Sequence, residues 1–212
     1  MKIGVTRFPG TNCDFDVWNF AKARGHEPVW LWHGDRFKTD DVDMVLVPGG
    51  FSYGDYLRCG ALAAKSPVMD SVREFAGKGK PVMGICNGFQ ILCESHLLPG
   101  VLVRNRGIKF IDDWVDLKVE NSNTHFAGKL SKGETVRLPI AHGEGCFMAS
   151  ADDLKSLEDK GQVWLRYEKN PNGSLKDIAG VMNEGKNVAA LMPHPERALF
   201  DWMGGMDGGK FL

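Results

Sequence analysis

The residue whose setting most clearly indicates chemistry is Cys86, in the segment PVMGICNGFQIL. The apolar run Val82–Ile85 suits a short buried strand, and the residues after the cysteine have helical character. Gly84 and Gly88 stand two residues before and after the cysteine. This pattern predicts a nucleophile elbow, a strained strand-to-helix turn that exposes the cysteine at the carboxyl edge of a sheet. A helix beginning at Asn87 would direct its N–H groups toward the sulfur and favour the anionic form.

A candidate base for this cysteine lies near the other end of the chain, in the sequence MPHPER. Two prolines flank His194 and predict an extended backbone there, after a strand. Residues two apart in an extended chain face the same side, so Glu196 is expected beside the imidazole ring. Cys86, His194 and Glu196 would then be nucleophile, base and orienting acid. The simpler alternatives are that Glu196 pairs with Arg197 and that His194 caps a loop.

A glycine-rich loop follows another predicted strand, Met44–Val47. Its paired glycines, Gly49 and Gly50, allow backbone amides to approach a substrate because no Cβ stands in the way. Acyl transfer through a tetrahedral intermediate needs such donors for its oxyanion, and we expect Gly50 and Asn87 to supply them. Gly54, farther along the loop, is better explained by an ordinary tight turn.

Together these segments resemble the class I, or triad-type, glutamine amidotransferases. The resemblance runs from Ile3 to about Gly209 and is carried by PGGFSYGDYLRCGA, GICNGFQIL, PIAHGEG and MPHPERA. Other members of the class share the cysteine elbow and the histidine-x-glutamate pair. The segments GFSYGDYLR, AHGEG and IAGVMNE are more particular and are closest to the glutaminase subunit of an enzyme complex of purine synthesis. The resemblance implies that the chain hydrolyses glutamine to glutamate and ammonia.

The same resemblance implies roles for eight residues, and for the triad these agree with the roles argued above from residue chemistry. They are catalytic Cys86, His194 and Glu196, oxyanion-hole Gly50 and Asn87, and substrate-binding Gln90, Gly143 and Glu144. His142 also stands in a motif, but a structural or partner-facing role is expected because the base is already assigned. Arg104 and Arg106 fit a solvated basic face as well as a partner contact.

The partners and cofactors follow from the resemblance as well. Ammonia is expected to pass through a protein channel to a separate large synthetase subunit, which uses ATP and Mg²⁺, and a small accessory subunit usually joins the complex. The present chain contains no G-x-x-x-x-G-K-[ST] segment and no G-x-G-x-x-G after a strand. No cofactor is therefore expected on this chain itself.

Composition narrows the function classes further. The chain has 212 residues, with 26 Lys plus Arg against 27 Asp plus Glu and no long basic block, so nucleic-acid binding is not expected. It contains no segment of signal-peptide character and none resembling a membrane span, which predicts a cytoplasmic protein. Its five cysteines have no C-x-x-C spacing and predict free thiols without a metal site.

The order of strand-like and helical segments predicts an α/β fold with a flavodoxin-like, doubly wound, mostly parallel sheet and the site at the carboxyl ends of its strands. The predicted parallel strands are Ile3–Val5, Val29–Leu31, Met44–Val47 and Val82–Ile85. The predicted antiparallel additions are Trp114–Val119, Thr135–Ile140, Val163–Tyr167 and Ile178–Met182. No internal repeat or linker is recognisable, so one glutaminase domain over residues 1–212 is expected.

Two other functions are compatible with parts of the sequence. A stand-alone hydrolase or chaperone with a cysteine elbow could share the sheet, but such proteins usually place a histidine or an acid elsewhere, for instance directly after the cysteine, where this chain has Asn87. A non-catalytic binding subunit would be expected to have lost one of Cys86, His194 or Glu196. Glutamine turnover with and without the synthetase partner separates these functions.

Overall fold

The computed structural model describes all 212 residues, Met1–Leu212. Its strands are Lys2–Arg7 (β1), Glu27–Trp32 (β2), Met44–Val47 (β3), Val82–Ile85 (β4), Val101–Val103 (β5), Ile111–Val119 (β6), Thr135–His142 (β7), Cys146–Met148 (β8), Val163–Tyr167 (β9), Ile178–Met182 (β10) and Val188–Leu191 (β11). Its α-helices are Asp14–Ala23 (α1), Pro67–Gly77 (α2), Asn87–Glu94 (α3) and Ala151–Asp159 (α4).

Nine of these strands form one mixed sheet in the order β2-β1-β3-β4-β11-β10-β9-β6-β7. The pairs from β2 to β11 are parallel, and the pairs from β11 to β7 are antiparallel. The strands β5 and β8 form a separate antiparallel pair. The order of the parallel part is the flavodoxin-like one, so the predicted α/β class with antiparallel additions is confirmed.

Burial along the strands explains why the two halves of the sheet have different sequence textures. Every residue of β3, β4 and β11 is buried, as expected for parallel strands covered on both faces. In β7, buried residues alternate with more exposed ones, which is typical of an antiparallel strand with one face toward solvent. Buried apolar residues of both halves belong to one cluster, so the two halves share a hydrophobic core.

Local sequence explains where the helices begin. Pro67 opens α2 after an extended Ser66, and Ser150 caps α4 by accepting a hydrogen bond from the Asp153 amide at 3.1 Å. The helix α3 begins at Asn87, as predicted. None of the helices has the length and apolar character that crossing a membrane requires.

Four neighbouring strands of the parallel part end at the same edge of the sheet. Cys13 follows β1, Gly49 and Gly50 follow β3, Cys86 follows β4, and His194 follows β11. Because the carboxyl ends of parallel strands meet at one edge, residues from distant parts of the chain converge there. The sheet order therefore places the predicted nucleophile between the glycine-rich loop and the predicted base.

Candidate active site

Cys86 occupies the turn between β4 and α3 in a backbone conformation that side-chain-bearing residues rarely adopt. Its φ is 52° and its ψ is −108°. A Cβ added at Gly84 would lie 2.7 Å from the Gly88 carbonyl oxygen, and one added at Gly88 would lie 1.9 Å from the Val47 carbonyl oxygen. Only glycine fits at these two positions. The predicted elbow, with its strained cysteine and its two glycines, is confirmed.

The His194–Glu196 pair forms, although the chain between the two residues is not extended. Nδ1 of His194 lies 2.6 Å from Oε1 of Glu196, and both side chains are buried. Pro195–Arg197 forms a single 3-10 turn, so the prediction of an extended stretch is wrong beyond His194. Proline suits the first position of such a turn because its φ is fixed near about −65° and it has no N–H to satisfy. The turn still brings the carboxylate to the ring.

The electrostatic environment of His194 favours its protonated form. Burial disfavours the imidazolium, but the negative charges of Glu196 and of a Cys86 thiolate outweigh burial and raise the pKa of His194 well above its ordinary value. Nε2 of His194 is buried and has no hydrogen-bond partner in the protein. Glu196 therefore orients the ring through Nδ1 and leaves Nε2 available for proton transfer.

Gly49 allows the candidate nucleophile and the candidate base to approach each other. A Cβ added at Gly49 would lie 3.0 Å from Cε1 of His194 and 3.3 Å from Cβ of Cys86. Both side chains line a cavity of about 140 Å³. An adjoining cavity of about 200 Å³ also contains Cys86, together with Gly50 and Gln90. The sulfur thus stands where a small molecule can reach it.

The two predicted oxyanion donors lie at this site. Gly50 lines both cavities with a φ of 139°, and its N–H has no acceptor in the protein. Asn87 is the first residue of α3, where a backbone N–H has no acceptor within the helix. Oδ1 of Asn87 accepts a hydrogen bond from the Ser52 amide at 3.1 Å, which connects the glycine-rich loop to α3. Both positions suit an oxyanion hole, and the role stays a prediction.

Gln90 lines the larger cavity, but both ends of its amide are bonded within the protein. Its Oε1 accepts from Nδ2 of Asn87 at 2.8 Å, and its Nε2 donates to the Glu144 carbonyl at 2.6 Å. Its side chain therefore holds the turn at Glu144 in place. Gln90 is also predicted to contact the amino-acid end of a substrate, and it would have to make that contact while keeping these two hydrogen bonds.

Asn105 fixes the turn that contains His142. Nδ2 of Asn105 donates to the His142 carbonyl at 2.8 Å, and its Oδ1 accepts from the Gly145 amide and from Nδ1 of His142 at 3.0 and 3.1 Å. Burial and the nearby charge of His194 lower the pKa of His142 to about 4. His142 is therefore a neutral, buried donor. These contacts favour the structural role over a catalytic one.

The remaining predicted residues stand at the edge of the site or beyond it. Gly143 and Glu144 line the larger cavity. Oε1 of Glu144 lies 3.5 Å from Nε of Arg104, whose side chain is exposed. The amide of Arg106 donates to the Asn172 carbonyl at 2.8 Å, so its backbone is tied to a neighbouring loop.

One residue of the site, Cys13, belongs to none of the motifs recognised in the sequence. Cys13 lines the smaller cavity, and its Sγ lies 3.1 Å from Nη2 of Arg197. Nε of the same guanidinium donates to Oδ2 of Asp16 at 3.1 Å. Burial raises the pKa of Cys13 well above its ordinary value. Ligand-type atoms of Cys13, His194 and Glu196 lie within 4.8 Å of one another, but the guanidinium on Cys13 disfavours a cation there. The rule that parallel strands end at one edge could have pointed to Cys13.

Comparison with known proteins identifies the class. Residues 1–207 match the family model described as CobB/CobQ-like glutamine amidotransferase domain, and the chain belongs to this family. Within it, the chain is 51% identical to the phosphoribosylformylglycinamidine synthase subunit PurQ of Alkaliphilus metalliredigens (strain QYMF), over 100% of this chain and 94% of that protein. The resemblance inferred from the motifs, to triad-type glutamine amidotransferases and in particular to this synthase subunit, is confirmed.

Solved structures give the same answer at the level of the fold. A chain in the structure of PurLQS from Thermotoga maritima is 47% identical, with a TM-score of 0.91, covering 99% of this chain and 94% of that one. A glutamine amidotransferase from Thermotoga maritima is 17% identical, with a TM-score of 0.63, covering 93% of this chain and 77% of that one. The second likeness shows the fold alone.

Proposed function

We propose that this chain is the glutaminase subunit of phosphoribosylformylglycinamidine synthase. It hydrolyses glutamine to glutamate and ammonia and passes the ammonia to an ATP-dependent synthetase subunit in purine synthesis. The observation that carries the proposal is the strained Cys86 beside a buried His194–Glu196 pair at a small cavity. The identity to the PurQ protein over the whole chain supports this particular synthase.

The reaction follows from the roles that these groups can play. The Cys86 thiolate attacks the side-chain amide carbon of glutamine, and the resulting oxyanion is held by the N–H groups of Gly50 and Asn87. The His194 imidazolium protonates the leaving nitrogen, so ammonia departs and a γ-glutamyl thioester remains on the sulfur. His194, now neutral, removes a proton from a water molecule that cleaves the thioester. Glutamate leaves and the thiolate is restored, while Glu196 keeps the ring oriented.

The proposed partners are the large synthetase subunit and the small accessory subunit. The PurLQS structure supports an assembly of this kind, because its matching chain is so similar to this one. ATP and Mg²⁺ are expected on the synthetase, with no cofactor on this chain. We also propose that residues 1–212 act as one domain. We propose that the subunit works in the cytoplasm.

The position of Gln90 leads to a first expected result. Gln90→Ala should raise the KM for glutamine more than it lowers kcat, because it removes the hydrogen bond that fixes the Glu144 carbonyl at the cavity wall. The measurement is steady-state ammonia release over a range of glutamine concentrations. The reverse pattern, a lower kcat at unchanged KM, would assign Gln90 to the chemical step.

The proposed function is tested by glutaminase kinetics with and without the synthetase. The isolated chain should turn over glutamine slowly, and the partner should raise kcat by about tenfold or more, or about 1.4 kcal/mol of barrier, with a smaller change in KM. Ammonia released without an acceptor is lost, which favours coupling of hydrolysis to assembly. We propose that the glycine-rich loop Gly49–Asp55 mediates this activation. When the partner packs against the loop, the Gly50 amide would move into position to bind the oxyanion.

Within this loop, Phe51 has an exposed apolar side chain that a partner can contact and is the residue to replace. Ser52 is buried, whereas the Phe51 side chain is 47% exposed and also lines both cavities. Phe51→Ala should therefore reduce the activation by the partner more than it reduces the low activity of the isolated chain. Full glutaminase activity of the isolated wild-type chain would contradict the coupling and favour a stand-alone hydrolase. No turnover in either state would favour a non-catalytic subunit.

A further inference from the structure

The larger of the two cavities that contain Cys86, of about 200 Å³, has an acidic lining. Its lining residues include two carboxylates, Asp55 and Glu144, and neither lysine nor arginine. The histidine in the lining, His142, is neutral because burial lowers its pKa to about 4. If glutamine enters this cavity with its amide at Cys86, one part of the lining must accept a positively charged α-ammonium group. The inference that follows deepens the proposed function and rests on it.

The two carboxylates differ in whether the protein supplies a positively charged partner. Glu144 lies 3.5 Å from the guanidinium of Arg104. Asp55 forms no ion pair, and its Oδ1 is buried without a hydrogen-bond partner. Burial raises the pKa of Asp55 above its ordinary value; the neighbouring Cys59 thiol, which donates toward the carboxylate, opposes this rise, and the negative charge of Glu144 adds to it. A carboxylate that lines a cavity without a cationic partner favours a ligand that brings a positive charge to it.

The loop around Asp55 is held in a backbone conformation that ordinary residues avoid. Tyr53, Gly54 and Asp55 have φ values of 54°, 69° and 56°. Contacts on both sides of the loop keep it there: the Tyr53 amide donates to the Pro9 carbonyl at 2.6 Å, and the Tyr53 hydroxyl lies 2.7 Å from Nδ1 of His33. Such strain persists only where surrounding contacts enforce it, and it clusters at ligand sites.

We propose that Asp55 receives the α-ammonium group of glutamine and makes the site selective for an α-amino acid. The bond is a charge-assisted hydrogen bond from the ammonium to the Asp55 carboxylate, which lines the cavity without an ion pair. Asp55 takes no part in proton transfer at the amide. Glu144, paired with Arg104, contributes the cavity wall and its backbone carbonyl.

The test compares glutamine with glutaramate, the analogue in which hydrogen replaces the α-ammonium group. In the complex with the synthetase, Asp55→Asn should raise the KM for glutamine about tenfold or more, while the inhibition constant of glutaramate against glutamine changes by less than about threefold. The kcat for glutamine should change less than KM. Asp55→Glu, which keeps the charge, should recover part of the loss.

Glu144→Gln is the matched variant for the other carboxylate of the cavity. The Glu144→Gln complex should still bind glutamine more tightly than glutaramate, whereas the Asp55→Asn complex should lose this preference. Equal weakening of both ligands by Asp55→Asn, or loss of the preference in Glu144→Gln alone, would overturn the assignment. Ammonia-dependent synthesis reports whether each variant still folds and assembles. If the wild-type complex itself releases no ammonia from glutamine, the proposed function fails, which is a different result from any of these.

Discussion

Replacing Cys86 with alanine is expected to lower glutamine-dependent synthesis by the assembled complex about 10³-fold or more, while ammonia-dependent synthesis continues. Only the hydrolytic half of the reaction needs a sulfur nucleophile, and the synthetase accepts ammonia from either source. The measurement is product formation by the complex with glutamine and then with an ammonium salt. Equal loss with both nitrogen sources would show that the substitution damages assembly or the synthetase instead.

The other cysteines provide the control. Cys93 is also buried on α3, and Cys93→Ala should leave glutamine-dependent synthesis within about threefold, although the small cavity it creates can cost stability. Cys146→Ala should behave in the same way. An electrophilic glutamine analogue should label Cys86. Cys13 lines the same cavity, so preferential labelling of Cys13 would show that the nucleophile is Cys13 and not Cys86.

The second large effect is expected at Glu196. Glu196→Gln should lower kcat about 10²- to 10⁴-fold with little change in the KM for glutamine. The carboxylate orients the ring through a 2.6 Å bond and raises the pKa of His194. Without that charge, burial dominates and the ring loses its proton near neutral pH, so the leaving nitrogen has no proton donor. Steady-state kinetics of the complex provide the measurement.

An exposed carboxylate in the next segment, Asp201, is the matched control for Glu196. Asp201→Asn should leave kcat unchanged within about threefold. Stability adds a second readout, because the pKa of His194 in the folded protein lies above its ordinary value of 6.5. The stabilisation is complete below that value and is lost as the pH rises through the raised pKa. Glu196→Gln should therefore lose less unfolding free energy toward alkaline pH than the wild type.

Much of the fold could be predicted because the strands carry local signals. The apolar run Val82–Ile85, flanked by turn residues, became β4, and Cys86 with its two glycines became the elbow. The sequence also predicts the longer strands β6 and β7, but in the structure β6 begins earlier, at Ile111, and β7 ends later, at His142. Strand ends depend on pairing with neighbours, which the sequence of one strand does not contain.

The sequence by itself determined the types of the reacting groups, their family and the strand edge on which they meet. These features follow from short-range patterns, such as glycines two residues either side of a cysteine and prolines around a histidine. Only the tertiary structure decided that Pro195–Arg197 turns instead of extending, that Asn105 fixes His142, and that Asp55 lines the cavity without an ion pair. Those outcomes depend on burial and on hydrogen bonds between segments far apart in the chain, and such terms exist only once the sheet has brought the segments together.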